Sequence, residues 1–317
     1  MQKYVARRLL LMIPTLIGLT LIVFLLTRFT PQDTVDLILN DSAGYQDPAL
    51  KAKLRKEFGL DSSLPEQYIT WLGNILTGDL GASYFSGRPV AQELKSRVPV
   101  SVELGALALA FSIAIGIPIG VISAVYQDRW LDYATRGVSV LLLAVPSFWL
   151  ALIVLIVGSR YFQWAPPARY EPPWQDIGSN LYIMMTPVII LGLGLAGTKI
   201  RLMRTQMLEV LRQDYIRTAR AKGLTEMAVL LRHAAKNALI PVVTIIGLQM
   251  TVLVAGSVIL ERIFIIPGIG QYFLDAAARR DFPIVQSLTL IIATVIVVSN
   301  LLVDLSYAYL DPRVKYS

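Results

Sequence analysis

"RTARAKGLTEMAVLLRHAAKNALIP", residues 217–241, carries a dense run of positive charge that ends where an apolar stretch begins. Asp214, just before it, can cap a short helix, and Gly223 can end that helix in the left-handed conformation. Thr225 can then cap a second helix, which continues through Pro241 into the apolar stretch. The pattern predicts two short helices, hinged at a glycine and continuous with a longer apolar helix. A basic loop with some helical content is the alternative interpretation.

Apolar runs on both sides of this stretch are long enough to cross a membrane, since a spanning helix needs about 20 mostly apolar residues. There are six of them, at residues 9–27, 100–124, 138–162, 182–196, 238–260 and 284–307. Basic residues precede the first run, as in a secretory signal, but that run is too long and no small-residue cleavage site follows it. We therefore predict an all-helical, polytopic membrane protein with six transmembrane helices.

The composition agrees with a membrane protein. Of the 317 residues, 55% are hydrophobic and 16% are charged, against about 25% charged residues in soluble domains. The net charge of +7 comes from basic residues beside apolar runs, without the aromatic interleaving of a nucleic-acid surface, so we predict no nucleic-acid partner. The chain has no cysteine, and its single histidine, His233, lacks partner ligands for a metal. We predict no catalytic, cofactor-binding or metal site in this chain.

Lysine and arginine near the helix ends indicate the orientation, because they favour the cytoplasmic side. Residues 199–236 contain nine Lys or Arg against three acids, and basic residues also flank both termini. Both termini and the loop 199–237 are therefore predicted to be cytoplasmic. The predicted domains are residues 1–97, a first transmembrane helix with a folded extracytoplasmic loop; residues 98–310, a five-helix core; and residues 311–317, a cytoplasmic tail.

The extracytoplasmic loop, about residues 28–99, shows two helical patterns. Residues 47–60 predict a short amphipathic helix that ends near Gly59, and residues 64–81 predict a second helix with apolar positions that include Trp71. The loop either packs on the outer helix ends or docks a partner. Replacing Trp71 with a charged residue would separate the two interpretations.

Two other kinds of chemistry are poorly supported. Residues 192–199, GLGLAGTK, resemble a phosphate-binding loop, but Thr198 precedes Lys199 and the stretch closes an apolar helix. Its glycines suit close helix packing. The acidic residues Glu103 and Asp304 lie near the ends of spans, whereas an ion-coupled transporter needs carboxylates at mid-depth. Their position indicates that the energy for transport comes from elsewhere.

The basic stretch resembles the cytoplasmic loop of inner-membrane permease subunits of ABC importers. Their general pattern is EAA, three residues, Gly, nine residues and I-x-L-P. Gly223 fits this pattern, whereas residues 217–219 read RTA and residues 233–236 lack the proline. The chain is closer to the variant TARAKGL…RHA..NALIPVVT of the dipeptide, oligopeptide and nickel branch, which it carries at residues 218–224, 232–234 and 237–244.

The resemblance to this branch extends over nearly the whole chain. Further matching motifs are YVARRLLLMIPTLIGLTLIVFLL (4–26), GDLGASY (78–84), GRPVAQELKSRVPVSVEL (87–104), ERIFIIPGIGQ (261–271) and NLLVDLSYAYLDPRV (300–314). Several separate motifs in the same order make chance similarity a poor explanation. The resemblance implies the type I permease fold of ABC importers in the cell inner membrane.

In that family the permease performs no chemistry itself. The resemblance implies a second permease subunit, two ATPase subunits that bind ATP and Mg, an extracytoplasmic substrate-binding protein and the surrounding lipid bilayer. It also implies an ATPase-coupling element, with Gly223 as its turn, formed by Arg217, Thr218, Ala219, Arg220, Ala221, Lys222, Gly223 and Leu224.

The segment ERIFIIPGIGQ, residues 261–271, combines oily side chains with residues that bend the chain. It is either a re-entrant turn that plugs the outer face or a lining of the substrate gate. The candidates for the outer gate are Phe264, Pro267, Gly268 and Gly270.

The resemblance points to short peptides as the cargo, because the branch mostly moves peptides. Nickel complexes and oligosaccharides remain open as cargo. Two other classes remain open as well: a secondary transporter or channel that works without ATP, and a membrane scaffold or sensor that transports nothing.

Overall fold

The computed structural model describes residues 2–29, 35–36, 39, 48–167, 169–252 and 258–310. These residues form helices joined by turns and by longer loops, such as residues 77–89, with a single isolated bridge between Ala82 and Pro89. The helices of the outer segments and early spans are α1 (Gln2–Arg28), α2 (Pro48–Glu57), α3 (Leu64–Leu76), α4 (Val90–Val125), α5 (Trp130–Ala144) and α6 (Ser147–Phe162). Those that follow are α7 (Ile177–Leu211), α8 (Asp214–Ala221), α9 (Glu226–Ala228), a π-helix (Val229–Ala235), α10 (Lys236–Gln249), α11 (Val258–Ile263), α12 (Ile269–Arg279) and α13 (Phe282–Leu310).

Five of the six predicted spans correspond to helices long and apolar enough to cross a membrane. They are Leu10–Arg28, Val90–Val125, Ile177–Leu211, Glu226–Gln249 and Phe282–Leu301. The third predicted span is a pair of helices, α5 and α6, bent by 96°. The bend has a local cause: Pro146 disfavours helical geometry at the residue before it, and Val145 is extended with a ψ of 118°.

Two helices are much longer than the apolar runs that predicted them. α4 has 36 residues and α7 has 35, which at 1.5 Å per residue is about 54 and 52 Å, against a hydrocarbon core of about 30 Å. Hydropathy marks only the oily part of a helix, and the polar ends remain helical. As a result, residues 199–211 of the predicted coupling loop belong to α7. Residues 253–257 of the fifth run and the tail 311–317 lie outside the described residues.

The chain divides into two compact units, Met1–Pro99 with Gln271–Val298, and Val100–Gly270 with Ser299–Ser317. The sequence-based division placed 271–298 in the five-helix core, whereas by compactness this stretch groups with the first unit. Compactness does not define a permease core, so the functional division stays a prediction.

The first unit is held together by aromatic and polar contacts. Tyr68 and Trp71 of α3 pack against Phe24 of α1, with ring centroids 5.4 and 5.8 Å apart, and the Tyr68 hydroxyl is 2.8 Å from Thr20 Oγ1. The Asp281 carboxylate accepts hydrogen bonds from the Ser83 hydroxyl and the Tyr84 N–H. Burial is the main cause that raises the pKa of Asp281. The packing of Trp71 supports the simpler interpretation of the extracytoplasmic loop, and docking stays a prediction.

The second unit has two hydrophobic cores. The α11 core consists of Val100, Leu104, Ala151, Ile183, Met184, Val188, Ile190, Leu260, Phe264 and Ile266. The α8 core consists of Ala124, Met203, Met207, Ile216, Ala219, Val229, Ala234, Ala235, Ala238 and Val242. α7 contributes side chains to both cores and therefore connects them within this unit.

Glycines allow α4 and α7 to approach closely. A Cβ on Gly116 would lie 2.8 Å from Lys199 Cβ, and one on Gly120 would lie 2.8 Å from the Ile200 carbonyl oxygen. From α7, a Cβ on Gly192 would lie 2.9 Å from the Ala108 carbonyl oxygen. Small residues at helix contacts are typical of membrane proteins, and the packing role predicted for the glycines of residues 192–199 is confirmed at Gly192.

Candidate functional site

The predicted coupling residues 217–224 lie on α8 and on the turn after it. Gln213, not Asp214, is the extended residue before α8, so the predicted cap is displaced by one position. Asp214 lies in the first helical turn, where an acid favours the helix dipole. Gly223 has a φ of +78°, and its N–H donates to the Arg220 carbonyl oxygen at 2.9 Å. The left-handed turn predicted at Gly223 is confirmed.

α8 is mounted on the protein by its apolar side. Ile216 is fully buried and Ala219 is 6% exposed, and both belong to the α8 core. Ala219 is thus the one predicted coupling residue whose side chain faces inward. The other seven are exposed, so they are available to contact another protein.

Polar contacts fix α8 to the helices that follow. The Arg220 guanidinium donates to Glu226 through Nη2 at 2.6 Å and Nε at 3.1 Å; the hydrogen bond to Glu226 is the main cause that raises the pKa of Arg220. Asn237 Nδ2 donates to the Tyr215 hydroxyl at 2.8 Å. The first contact bridges the Gly223 turn and the second joins α8 to α10. The hairpin formed by α8, the Gly223 turn and α9 therefore has a defined orientation.

The exposed side of the hairpin combines apolar and basic groups. The large apolar side chains Tyr215, Leu224, Met227 and Leu231 are between 41% and 66% exposed, beside exposed Arg217 and Lys222. We call these six residues the docking face. The sequence predicted one apolar face from Met227, Leu230 and Leu231, but Leu230 packs against the α8 core while the other two are exposed. Exposed apolar groups mixed with cations are typical of a surface that contacts another protein.

The helix after the hairpin is continuous with a membrane span. Residues Glu226–Gln249 form 24 helical residues, with a π-helical stretch at Val229–Ala235 and Pro241 inside α10. The predicted continuity through Pro241 is confirmed, and the π-helix was not predicted. Such stretches are rare and are frequently found at functional sites. A displacement of Met227 or Leu231, the two docking-face residues on this helix, would reach α10 without crossing a loop.

The outer segment is built around a buried carboxylate, that of Glu261. It accepts hydrogen bonds from the Ser101 hydroxyl at 2.7 Å and from the Gly270 N–H at 2.8 Å. Ser101 Oγ in turn accepts from the Ile269 N–H at 2.9 Å. A Cβ on Gly268 would overlap the Glu261 carboxyl and lie 2.5 Å from Ser101 Oγ. These contacts hold the turn between α11 and α12 close to α4.

The four gate candidates are mostly interior. Phe264 is fully buried in the α11 core, Gly268 and Gly270 are buried, and Pro267 is partly exposed. Ile265 is 56% exposed with a φ of +55°, a strained conformation for a β-branched residue. This packing supports the plug interpretation for Phe264, and a gating role for the segment stays a prediction.

Sequence reasoning missed a buried ion pair. Asp132 of α5 is fully buried and receives Arg204 of α7 in a two-point contact, at 2.6 and 2.7 Å. The Ser123 hydroxyl also donates to Asp132, at 2.7 Å. The two charges are 72 residues apart, and the only sequence signal was a basic residue within a long helical run. The contact fixes α5 to the C-terminal half of α7.

Sequence reasoning also misplaced Lys199, which it assigned to the cytoplasmic loop. Lys199 lies inside α7 and is fully buried. The Tyr170 hydroxyl, on the loop after α6, donates to Glu103 at 2.6 Å. The side chain of Asp304 lies outside the described part of the chain. Within that part, no group of three metal-ligating side chains lies close enough together to hold a metal ion.

Comparisons with known proteins agree with this architecture. Residues 116–316 match the family "Binding-protein-dependent transport system inner membrane component", and residues 1–105 match its N-terminal model. The dipeptide transport system permease protein DppB of Escherichia coli (strain K12) is 38% identical over 339 residues, which covers 100% of this chain and 99% of that protein. DppB of Alkalihalophilus pseudofirmus is 38% identical over 336 residues, covering 100% of both.

A solved structure shares the fold. A chain of the MetNI methionine ABC transporter in an inward-facing conformation has a TM-score of 0.53 at 15% identity, covering 69% of this chain and 96% of that chain. The predicted all-helical permease fold and the inner-membrane location are confirmed. With matches from residue 1 to residue 316, this chain belongs to the family of inner membrane components of binding-protein-dependent transport systems, and it is the permease subunit of a multi-component ABC importer.

Proposed function

We propose that this chain forms, with a second permease, the translocation path for short peptides that an extracytoplasmic binding protein delivers. Two ATPase subunits, which bind ATP and Mg, drive the transport. The chain itself binds no cofactor. The proposed coupling residues are Arg217, Thr218, Ala219, Arg220, Ala221, Lys222, Gly223 and Leu224.

One observation carries the proposal: the docking face lies on a firmly mounted hairpin that is continuous with a membrane helix. Ile216 and Ala219 anchor the hairpin to the protein through the α8 core. The Arg220–Glu226 contact fixes the conformation of its turn. Leu231 and Met227 meanwhile remain exposed on the helical segment that leads into α10. A surface with this mounting can pass movement of a soluble partner to a membrane span.

The cargo is proposed from the relatives. Two proteins that match this chain over its full length are dipeptide transport system permeases by name. No group of metal-ligating side chains is present in the described residues, so nothing in them favours nickel over a peptide.

The first experiment tests the docking face. Leu231→Asp places a carboxylate on a residue that is 61% exposed, so the chain should still fold. We expect about tenfold less ATPase subunit to co-purify with this variant from the membrane. The reason is that a carboxylate at the centre of a protein interface weakens it, since charged residues are depleted there. Leu76→Asp is the matched control, since Leu76 is 79% exposed on the loop that we predict to be extracytoplasmic.

Two results would contradict the proposal of an ATPase contact: equal recovery of the ATPase subunits with Leu231→Asp and Leu76→Asp, or no ATPase in the wild-type preparation.

The cargo is tested separately, in proteoliposomes that contain the whole complex and its binding protein. ATP-dependent uptake of labelled dipeptide is expected, and unlabelled dipeptide should compete. Uptake of a nickel complex or an oligosaccharide alone would reject the peptide proposal and keep the importer.

A further inference from the structure

Lys199 is a fully buried lysine in the middle of a membrane helix. Its Nζ donates to Ser112 Oγ of α4 at 2.8 Å, to Gln249 Oε1 of α10, and to the Leu195 carbonyl oxygen of its own helix at 3.4 Å. The three donors of one ammonium thus bind oxygens on three different helices. No carboxylate of the described residues lies within 4 Å of it.

Its position along α7 separates the two cores of the second unit. Ile190, nine residues before it, belongs to the α11 core, and Met203, four residues after it, belongs to the α8 core. A charge among membrane helices is costly unless polar groups compensate it, and such charges mark functional positions. Packing alone would be served by an apolar side chain, so the contacts of this ammonium need another explanation.

Those contacts add a polar link between α10, which is continuous with the docking face, and the α4–α7 pair, which α10 otherwise contacts through the apolar α8 core. Gln249 is the last residue of α10, which is continuous with α9 and the docking face. Ser112 lies on α4, which packs tightly on α7 because a Cβ on Gly116 would lie 2.8 Å from Lys199 Cβ. Hydrogen bonds from a charged donor are stronger than neutral ones. The ammonium is therefore a strong link between α10 and the α4–α7 pair.

We propose that Lys199 is a positioning residue for transport: by holding Gln249 to Ser112, it makes α10 move as one body with α4 and α7 when the docking face is displaced. Without the ammonium, only the apolar contacts of the α8 core join α10 to α4 and α7, and part of the displacement is lost before it reaches the α11 core. This inference rests on the proposed function, because it assumes that movement enters at the docking face.

The test uses the whole complex in proteoliposomes with its binding protein. Lys199→Met keeps the length and apolar stem of the side chain and removes the ammonium. We expect the number of peptides transported per ATP hydrolysed to fall about tenfold, since couplings between sites typically amount to 5- to 150-fold. ATP hydrolysis itself should continue. A ratio per ATP is insensitive to the fraction of complex that is intact, so a general loss of folding would not change it.

Gln249→Met tests the same contact from α10 and leaves Lys199 in place, in case Lys199→Met does not assemble. The double variant should be no worse than either single variant, because both remove one contact. Arg201→Met is the matched control: Arg201 is exposed two residues away on α7, and its loss removes the same charge. Its ratio should equal that of the wild type.

Three outcomes are distinguishable. A reduced ratio in both single variants, with no further loss in the double, supports the inference. A wild-type ratio in Lys199→Met and Gln249→Met, or full additivity in the double variant, overturns it while the proposed function stands. If the wild-type complex itself shows no ATP-dependent peptide uptake, the proposed function fails, and the inference fails with it.

Discussion

The second unit contains two glycine turns that differ in kind. At the turn that follows α8, which we call the coupling turn after its proposed role, a Cβ on Gly223 would meet nothing within 4 Å, and the residues around it are exposed. At the outer turn, a Cβ on Gly268 would overlap the carboxyl of Glu261, and the surroundings are buried. The first glycine is needed for its backbone angle and the second for its lack of volume. The coupling turn is therefore open to a partner, whereas the outer turn is closed upon itself.

Gly268→Ala should destabilise the complex more than any other variant of these two turns. The added methyl has no room beside Glu261 and Ser101, and overpacking costs about 1–3 kcal/mol or more; here we expect the upper end, about 3 kcal/mol. The melting temperature of the purified complex measures the effect. Gly223→Ala is the matched control, with free space but a φ of +78°, and should cost only about 1 kcal/mol. Equal melting temperatures would show that the outer turn is not tightly packed.

Ile216→Ala should produce the next largest loss, because it opens a cavity under the coupling hairpin. Ile216 is fully buried in the α8 core, and such truncations cost about 2–5 kcal/mol, with a short helix able to settle into the space at about 2. Leu224→Ala, on an exposed residue of the docking face, should leave the melting temperature unchanged and lower ATPase recovery. If Leu224→Ala also lowered the melting temperature, the division between mounting and docking residues would be wrong.

Ser101→Ala should destabilise the outer turn by a smaller amount. It removes the donor to Glu261 and leaves the Ile269 N–H without its acceptor, and an unsatisfied buried group costs about 1–3 kcal/mol; one small side chain should give about 1.5. Ser96→Ala, at an exposed residue that donates to the Glu93 carbonyl oxygen, is the control and should cost below about 0.5 kcal/mol. The melting temperature of each variant complex measures the loss. Equal melting temperatures would show that the Ser101 hydrogen bonds do not stabilise the outer turn.

Glu226→Gln should have the smallest effect. It weakens the contact with Arg220 across the coupling turn, and because both side chains are largely exposed, the loss should be about 0.5 kcal/mol at low salt and less at high salt. The melting temperature at two salt concentrations measures it. A large loss that salt does not reduce would mean that this pair is screened from water.

Much of the membrane architecture was predictable because its signals are local. Apolar runs mark the spans wherever a helix must satisfy its own backbone groups in lipid. The turn at Gly223 was predictable because a glycine after a basic helical turn is a local signal of a helix end. The 96° bend within the third span also has a local signal, Pro146. Because the residues on both sides of Pro146 are apolar, the sequence was interpreted as one straight span.

The contacts that organise the interior had no such signal. Glu261 meets Ser101 across 160 residues, Arg204 meets Asp132 across 72, and Lys199 meets Ser112 across 87. A charge next to an apolar run reads as a surface residue, and only the packing of distant helices around it makes it a buried one. The sequence alone therefore defined five of the six spans, the turn at Gly223 and the family. The tertiary structure determined which residues of those segments face a partner and which face the core, because that depends on neighbours that lie far away along the chain.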